Sequence, residues 1–143
     1  MSAQIISCTG AKGGVGTTSV SVNLAASLAI RGYNTVLVNM NYQSSDINLW
    51  LGLDDIPSLD RNASREILKN LKKIIIKTKF PRLFCITLSS LSFQTEDRSV
   101  KASLFNAVRK IKTDVIVLDL GSDNNWDTVE IFAASDKSLT VST

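Results

Sequence analysis

The sequence is poor in the residues from which metal centres and disulfide bonds are built. It contains no histidine and only two cysteines, Cys8 and Cys85, among 143 residues. Zinc and iron–sulfur sites draw on clusters of these residue types, so the composition excludes most of them. Each cysteine lies in a short apolar segment, where a free thiol usually acts as a small buried hydrophobe. We therefore expect two reduced, structural cysteines in a cytoplasmic protein.

Long apolar runs are also missing. Apolar runs such as residues 74–76 and 115–118 fall far short of the roughly 20 residues that a membrane-spanning helix needs. The first residues lack the basic segment and the apolar core of a signal peptide. Hydrophobic residues make up 44% of the chain and charged residues 20%, which is typical of a soluble globular protein. The length predicts a single domain, residues 1–143.

The net charge is only +3, but the cations are concentrated in two stretches. They are Lys69, Lys72, Lys73, Lys77, Lys79 and Arg82 in the first, and Arg109, Lys110 and Lys112 in the second. Such runs are most often solvated faces of helices, and this is what we expect here. The alternative is a surface that binds nucleic acid or an anionic membrane.

A glycine-rich segment, residues 10–19, stands between a predicted strand and a predicted helix. Apolar residues precede it, and Val20, Leu24 and Leu28 follow it at helical spacing. The glycines at positions 13, 14 and 16 allow positive φ angles, which turn backbone N–H groups inward. The helix directs the positive end of its dipole to the same point. Strand, turn and helix together predict a phosphate cradle.

Strands and helices alternate along the rest of the chain, which predicts an α/β fold: a doubly wound, mainly parallel sheet with helices on both faces. Predicted strands cover residues 4–8, 35–38, 83–88 and 114–120, and another begins at 139. Predicted helices cover 17–31, a short segment around 47–51, one that carries residues 67–75, one from about 95 to 111, and 126–134. Ligands bind beyond the carboxyl ends of parallel strands, so we expect Cys8, Asn39 and Asp119 to meet in one crevice.

The cradle resembles the phosphate-binding loop of a known ATPase family. Its residues are Lys12, Gly13, Gly14, Val15 and Gly16, followed by Thr17 and Thr18. This run is similar to the deviant Walker A motif of the ParA/MinD family of P-loop ATPases. The resemblance implies that the loop binds ATP or ADP with Mg²⁺. It also implies a homodimer, because in that family the early lysine, here Lys12, reaches the phosphates of the partner subunit.

Three positions depart from the family pattern. Thr17 stands where a second lysine usually follows the last glycine, and Asn39 and Asn41 stand where two aspartates usually end the second strand. An amide orients a water molecule but does not take its proton, and it is a weaker Mg²⁺ ligand than a carboxylate. Thr18 and Asp119 remain as the implied magnesium ligands. We expect a site, with Asn39 and Asn41 in its wall, that binds nucleotide and hydrolyses it weakly or not at all.

The resemblance implies an ATP-dependent, dimerising switch that positions a cellular structure through a protein partner at a cell pole or membrane. The nearest branch is that of pilus-localisation proteins of the TadZ and CpaE type, and MinD and the flagellar-number regulator FlhG are similar over the same stretches. Family members continue beyond the stretch that resembles this chain, so the likeness covers the N-terminal portion of their fold. Non-specific DNA binding is a less favoured partner interaction.

Two alternatives stay open at this point. One is a pseudo-ATPase, an interaction module that works without nucleotide. The other is a slow ATPase in which Asp46 or Asp123 positions the attacking water. Trp50 is expected to pack in the core, and an exposed anchor for a partner is the alternative for that side chain.

Overall fold

A computed structural model describes residues 2–41, 46–53, 71–87, 98–122 and 126–142. Its strands are β1 (Gln4–Gly10), β2 (Thr35–Asn39), β3 (Ile75–Lys77), β4 (Leu83–Ile86), β5 (Val115–Asp119) and β6 (Lys137–Val141). Its helices are α1 (Thr17–Ile30), α2 (Asp46–Leu51), α3 (Arg98–Val108) and α4 (Trp126–Ala134), with a 3-10 turn at Leu71–Lys73. Among these helices, none has the length and apolar character that crossing a bilayer requires.

The described strands form one sheet in the order β3-β4-β2-β5-β1-β6. β3 runs antiparallel to β4, and the other pairs are parallel. Every residue of β2 and of β5 is buried. A near-continuous apolar run is what a strand covered by helices on both faces requires, and both segments have one. The predicted mainly parallel, doubly wound sheet is confirmed.

Each face of the sheet has its own apolar cluster. α1 and α2 cover one face, where Cys8 and Cys85 pack beside Leu37. Side chains of α3 and α4 cover the other face, beside Val38 and Ile116. Both cysteines are free and fully buried, as expected. Burial raises the pKa of the Cys85 thiol to about 12, so this sulfur is not a reactive thiolate.

The first cluster allows a direct test of the core. Leu37 in β2 is fully buried, so Leu37→Ala should lower the free energy of unfolding by about 2–5 kcal/mol, because it removes apolar contacts and leaves a cavity. Leu49 in α2 is 80% exposed, and Leu49→Ala should change it by no more than about 0.5 kcal/mol. Urea unfolding of both variants checks the pair. Equal losses would contradict this assignment of the core.

The predicted core position of Trp50 is wrong, because its side chain is 51% exposed. α2 has only six residues, and residues four apart lie on the same face of a helix. Ile47 and Leu51 occupy the inward face and are buried, which turns Leu49 and Trp50 outward. The other interpretation, an exposed anchor, stays a prediction.

The predicted helix over residues 67–75 is wrong at its end. Ile75–Lys77 forms the antiparallel edge strand β3 instead, and residues 67–70 lie outside the described residues. Residues 74–76 are consecutive isoleucines, and branching at Cβ favours extended backbone over helix. The helix predicted from about residue 95 is described as α3 from Arg98, and its predicted start lies outside the described residues.

Candidate functional site

The glycine-rich segment between β1 and α1 is an open turn on the surface. Gly14 and Gly16 have φ angles of 77° and 90°. A Cβ placed on either glycine would meet nothing within 4 Å beyond its neighbours in the chain. Gly13 does not adopt a positive φ, so that part of the prediction is wrong, and two left-handed residues are enough to reverse the chain. The side chain of Lys12 is exposed on the rim of this turn.

The start of α1 is suited to an anion. Gly16 is the N-cap residue, no side chain hydrogen-bonds to cap it, and the first turn contains no acidic residue. The first N–H groups of a helix have no partner inside the helix, and the helix dipole places partial positive charge there. A phosphate group at the turn would accept these hydrogen bonds and meet this charge. The geometry therefore fits a phosphate.

Close packing between Gly10 and Thr17 forms the floor of the turn. A Cβ added to Gly10 would collide with Thr17 Oγ1 and would lie 3.0 Å from Val15 Cγ2. Thr17 is 7% exposed, so the residue at the position where the sequence resemblance implies a lysine is a packing residue. The floor is anchored by Gly10 N, which donates to Gly121 O over 2.8 Å, and by Ala11 N, which donates to the carbonyl of the last residue of β6 over 2.8 Å.

Three strand ends meet beside the turn, as the sequence predicts. Asp119 at the end of β5 is paired with Cys8 on one side and with Asn39 on the other. The Thr18 hydroxyl donates a hydrogen bond of 2.8 Å to Asp119 Oδ2, and Gly121 N donates one of 3.1 Å to Oδ1. The two predicted magnesium ligands are therefore in contact. A hydroxyl and a carboxylate are the hard oxygen donors that Mg²⁺ prefers.

The two asparagines form the wall between the ends of β2 and β5. Asn39 is 7% exposed. Its Nδ2 donates to Thr87 Oγ1 over 3.3 Å, and its Oδ1 accepts from Asn41 N over 3.0 Å. Because Asn39 and Asp119 are register partners on adjacent buried strands, a carboxylate at position 39 would place two like charges side by side. The amide avoids that repulsion.

The environment of Asp119 opposes its negative charge. Burial raises the pKa of the Asp119 carboxyl, and the nearby charge of Asp46 adds to the rise. The hydrogen bonds from Thr18 and from Gly121 N lower the pKa and only partly offset this. Burying a carboxylate charge is costly, and a bound divalent cation would lower that cost. The electrostatics of the site therefore also fit a magnesium ion.

This pKa shift makes a prediction about stability. Because the pKa of Asp119 is higher in the folded state than in the unfolded state, the folded protein is favoured when this carboxyl is protonated. The stability that protonation provides is lost as the pH rises through the raised pKa. Asp119→Asn keeps the shape without the charge, so the variant should be more stable than the parent at neutral pH in EDTA. The difference should shrink as the pH falls toward 3.8. Urea unfolding at a series of pH values measures it, and a constant difference would contradict the account.

Sequence reasoning misses two glycines that shape the site, Gly10 and Gly121. Gly121 has a φ of 67°, and a Cβ there would lie 2.6 Å from Asn41 Cγ. Its carbonyl accepts a second bond, of 3.0 Å, from Thr9 Oγ1. A signal was available, because each glycine lies at or just beyond the carboxyl end of a predicted strand, where close approach of other groups excludes a side chain. Asp123 lies outside the described residues.

Comparison with known proteins extends the likeness beyond the loop. A family model described as an AAA domain matches residues 3–143. The antiactivator FleN of Pseudomonas aeruginosa is 46% identical over 50 residues, which are 35% of this chain and 18% of FleN. The septum site-determining protein MinD of Neisseria meningitidis is 38% identical over 52 residues, which are 36% of this chain and 19% of that MinD.

Solved structures share the fold. MinD of Pyrococcus horikoshii complexed with Mg-ADP has a TM-score of 0.77 at 21% identity, covering 97% of this chain and 57% of that one. MinD of Pyrococcus furiosus has a TM-score of 0.76 at 23% identity, covering 96% of this chain and 58% of that one. The architecture is thus that of the MinD-like P-loop NTPases. The chain spans less than three fifths of the length of these MinD proteins.

Proposed function

The chain belongs to the AAA domain family, among its ParA/MinD members, and from this premise we propose that it is a positioning switch that binds ATP or ADP with Mg²⁺. The observation that carries the proposal is the uncapped start of α1 behind an open glycine turn. Backbone N–H groups of residues 13–18 would hold the phosphates, which is how such turns bind anions. Most of the phosphate contacts therefore come from the backbone. Threonine instead of lysine at position 17 weakens phosphate binding but does not abolish it.

The metal would be held by Thr18 and Asp119. A bound magnesium ion neutralises phosphate charge. Thr18 offers a hydroxyl oxygen for it and Asp119 a carboxylate oxygen, and the two side chains are already in contact. The same magnesium ion would neutralise the buried charge of Asp119 and the charge of the phosphates. Binding of Mg²⁺ and binding of nucleotide would therefore strengthen each other.

We propose that hydrolysis is weak or absent, because the side chains at the end of β2 are amides. Asn39 and Asn41 can orient water but cannot accept its proton at neutral pH. One observation favours a slow ATPase as a second candidate. The charge of Asp46 contributes to the raised pKa of Asp119, so in this candidate Asp46 is the carboxylate that positions the attacking water.

We propose that ATP joins two subunits through Lys12, and that the dimer recruits a protein partner at a pole or membrane. Lys12 is exposed on the rim of the turn, where it is accessible to a second subunit. Within the family we propose the pilus-localisation branch of the TadZ and CpaE type. Its resemblance rests on a small residue after the last glycine and on the loss of acids at the end of β2.

Titration with a fluorescent ATP analogue tests the proposal, with sedimentation to report the mass of the complex. The wild-type chain should bind and dimerise with ATP and Mg²⁺. Lys12→Ala should prevent dimerisation, and Lys112→Ala, an exposed lysine remote from the turn, should not. Absence of binding at millimolar ATP would overturn the proposal and favour the pseudo-ATPase. That protein would bind its partner equally well with and without nucleotide. Phosphate release that disappears in Asp46→Asn would identify the slow ATPase.

A further inference from the structure

Three segments that contact one another lie at the amino ends of β2, β4 and β5, which is the end of the sheet opposite the nucleotide turn. They are the last residue of α1 with the loop before β2 (residues 30–34), the loop before β4 (78–82) and the loop before β5 (109–114). Arg82 Nη1 donates to Gly32 O over 2.8 Å, and Thr113 Oγ1 donates to Asn34 O over 2.7 Å. The loop before β2 is thus bonded to both of its neighbours. We call this continuous surface the basic edge.

The charge of the basic edge is strongly positive. Within these three segments the one carboxylate is Asp114, which accepts a 2.8 Å hydrogen bond from Asn34 N. Asp136, which precedes β6 and accepts a 2.7 Å hydrogen bond from Ile5 N, is a second carboxylate at the same end of the sheet. Its cations, all with exposed side chains, are Arg31, Lys79, Arg82, Arg109, Lys110 and Lys112. The whole chain has a net charge of only +3, so the basic edge is more positive than the chain as a whole. Such a concentration attracts polyanions and anionic surfaces.

Apolar side chains project from the same edge. Ile30 is 79% exposed and Tyr33 is 49% exposed, on either side of Arg31 and Gly32. In the neighbouring loop, Phe80 is half-buried against the core, and the Lys79 ammonium lies 5.5 Å from the centre of its ring. Ile30 and Leu49 are the most exposed large hydrophobic side chains of the described residues, and of the two only Ile30 lies among the cations of the basic edge. Nucleic acid also gains little from one, because its affinity comes mainly from phosphate contacts.

An anionic bilayer accounts for both features. Aliphatic and aromatic side chains enter the boundary between headgroups and acyl chains, while lysines and arginines bind the anionic headgroups around them. We propose that the basic edge binds the surface of an anionic lipid bilayer, with Ile30 and Tyr33 inserted among the headgroups. The nucleotide turn lies at the opposite end of the sheet, so a bilayer bound at the basic edge would leave the turn accessible.

Co-sedimentation of the full chain with vesicles of phosphatidylglycerol and phosphatidylcholine tests the charge requirement. The chain should bind these vesicles, bind phosphatidylcholine vesicles much less, and lose binding as salt is added. Each cation near the surface contributes about 1 kcal/mol, so the double variant Arg31→Gln, Lys110→Gln should lower the partition coefficient roughly 25-fold. The control is Lys72→Gln, Lys73→Gln. It also removes two exposed cations, but from the other end of β3, and should change binding less than about twofold.

A second pair of variants tests the apolar requirement. Ile30→Ser should lower binding by about tenfold or more, because it removes a side chain that the bilayer would bury. Leu49→Ser changes an equally exposed residue on α2 and should leave binding unchanged. Failure to bind anionic vesicles, or equal effects of test and control variants, would overturn the proposal. Binding of duplex DNA that falls with Arg31→Gln, Lys110→Gln but not with Ile30→Ser, without vesicle binding, would assign the edge to nucleic acid.

Discussion

Replacing Gly14 by alanine should lower the affinity for ATP about ten- to hundredfold. The added methyl would meet nothing in the protein, because the space around Gly14 is open. It would instead occupy the space into which a phosphate must come to reach the backbone N–H groups. A hydrogen bond to a charged group is worth about 1.5–3 kcal/mol, and losing one accounts for an effect of this size. Anisotropy titration with a fluorescent ATP analogue measures the change.

Gly52 provides a matched control for this variant. It also has a positive φ, 63° against 77° for Gly14, and open space around its Cβ position. Both alanine variants should therefore lower the free energy of unfolding by a similar amount, about 1–2 kcal/mol, because alanine is strained in a left-handed backbone conformation. Gly52→Ala should retain wild-type affinity for ATP, because Gly52 follows α2 and lies outside the turn. Equal losses of affinity in the two variants would attribute the effect to general destabilisation.

Thr17→Lys should raise the affinity for ATP about ten- to hundredfold. The substitution adds a cation next to the N–H groups at the start of α1, and a charged donor contributes about 1.5–3 kcal/mol to binding a phosphate. The change should also make the unfolding midpoint more sensitive to added ATP, since stabilisation by a ligand grows with its concentration relative to Kd. Hydrolysis should stay at the background rate, because Asn39 and Asn41 are unchanged.

A second substitution distinguishes the effect of the length of the side chain at position 17 from the effect of its charge. Thr17→Met has a similarly long, flexible side chain and the same loss of Thr17 packing against Gly10, but no charge. It should give no gain in affinity. A gain of equal size from methionine would show that the charge is not the cause, and no gain from lysine would show that phosphates do not bind at this end of α1.

The region around the turn was predictable because local chemistry determines it. The glycines stand directly before a helical apolar pattern, and β2 and β5 are short apolar runs rich in β-branched residues, which favours buried strands. The meeting of Cys8, Asn39 and Asp119 follows once the alternating pattern is taken to form a parallel sheet, because the carboxyl ends of parallel neighbours lie together.

The features that sequence reasoning missed depend on contacts between distant segments. β3 exists because it pairs with β4 at the edge of the sheet, which no local pattern specifies. Trp50 is exposed because Ile47 and Leu51 already cover the inward face of a short helix. The role of Gly121 depends on the position of Asn41, eighty residues earlier in the chain. The basic edge was visible only as separate runs of lysine and arginine until the fold brought its three loops together.

An NMR titration of the ¹⁵N-labelled chain with ATP and Mg²⁺ tests the central claim most directly, because it observes the backbone N–H groups themselves. We expect large, saturable shifts for the amides of residues 13–18, smaller ones around Asp119, and none in the basic edge. The Gly14→Ala variant should show these shifts only at much higher ATP. Saturable shifts that spare residues 13–18, or no shifts at millimolar ATP, would contradict the claim that this turn is a phosphate cradle.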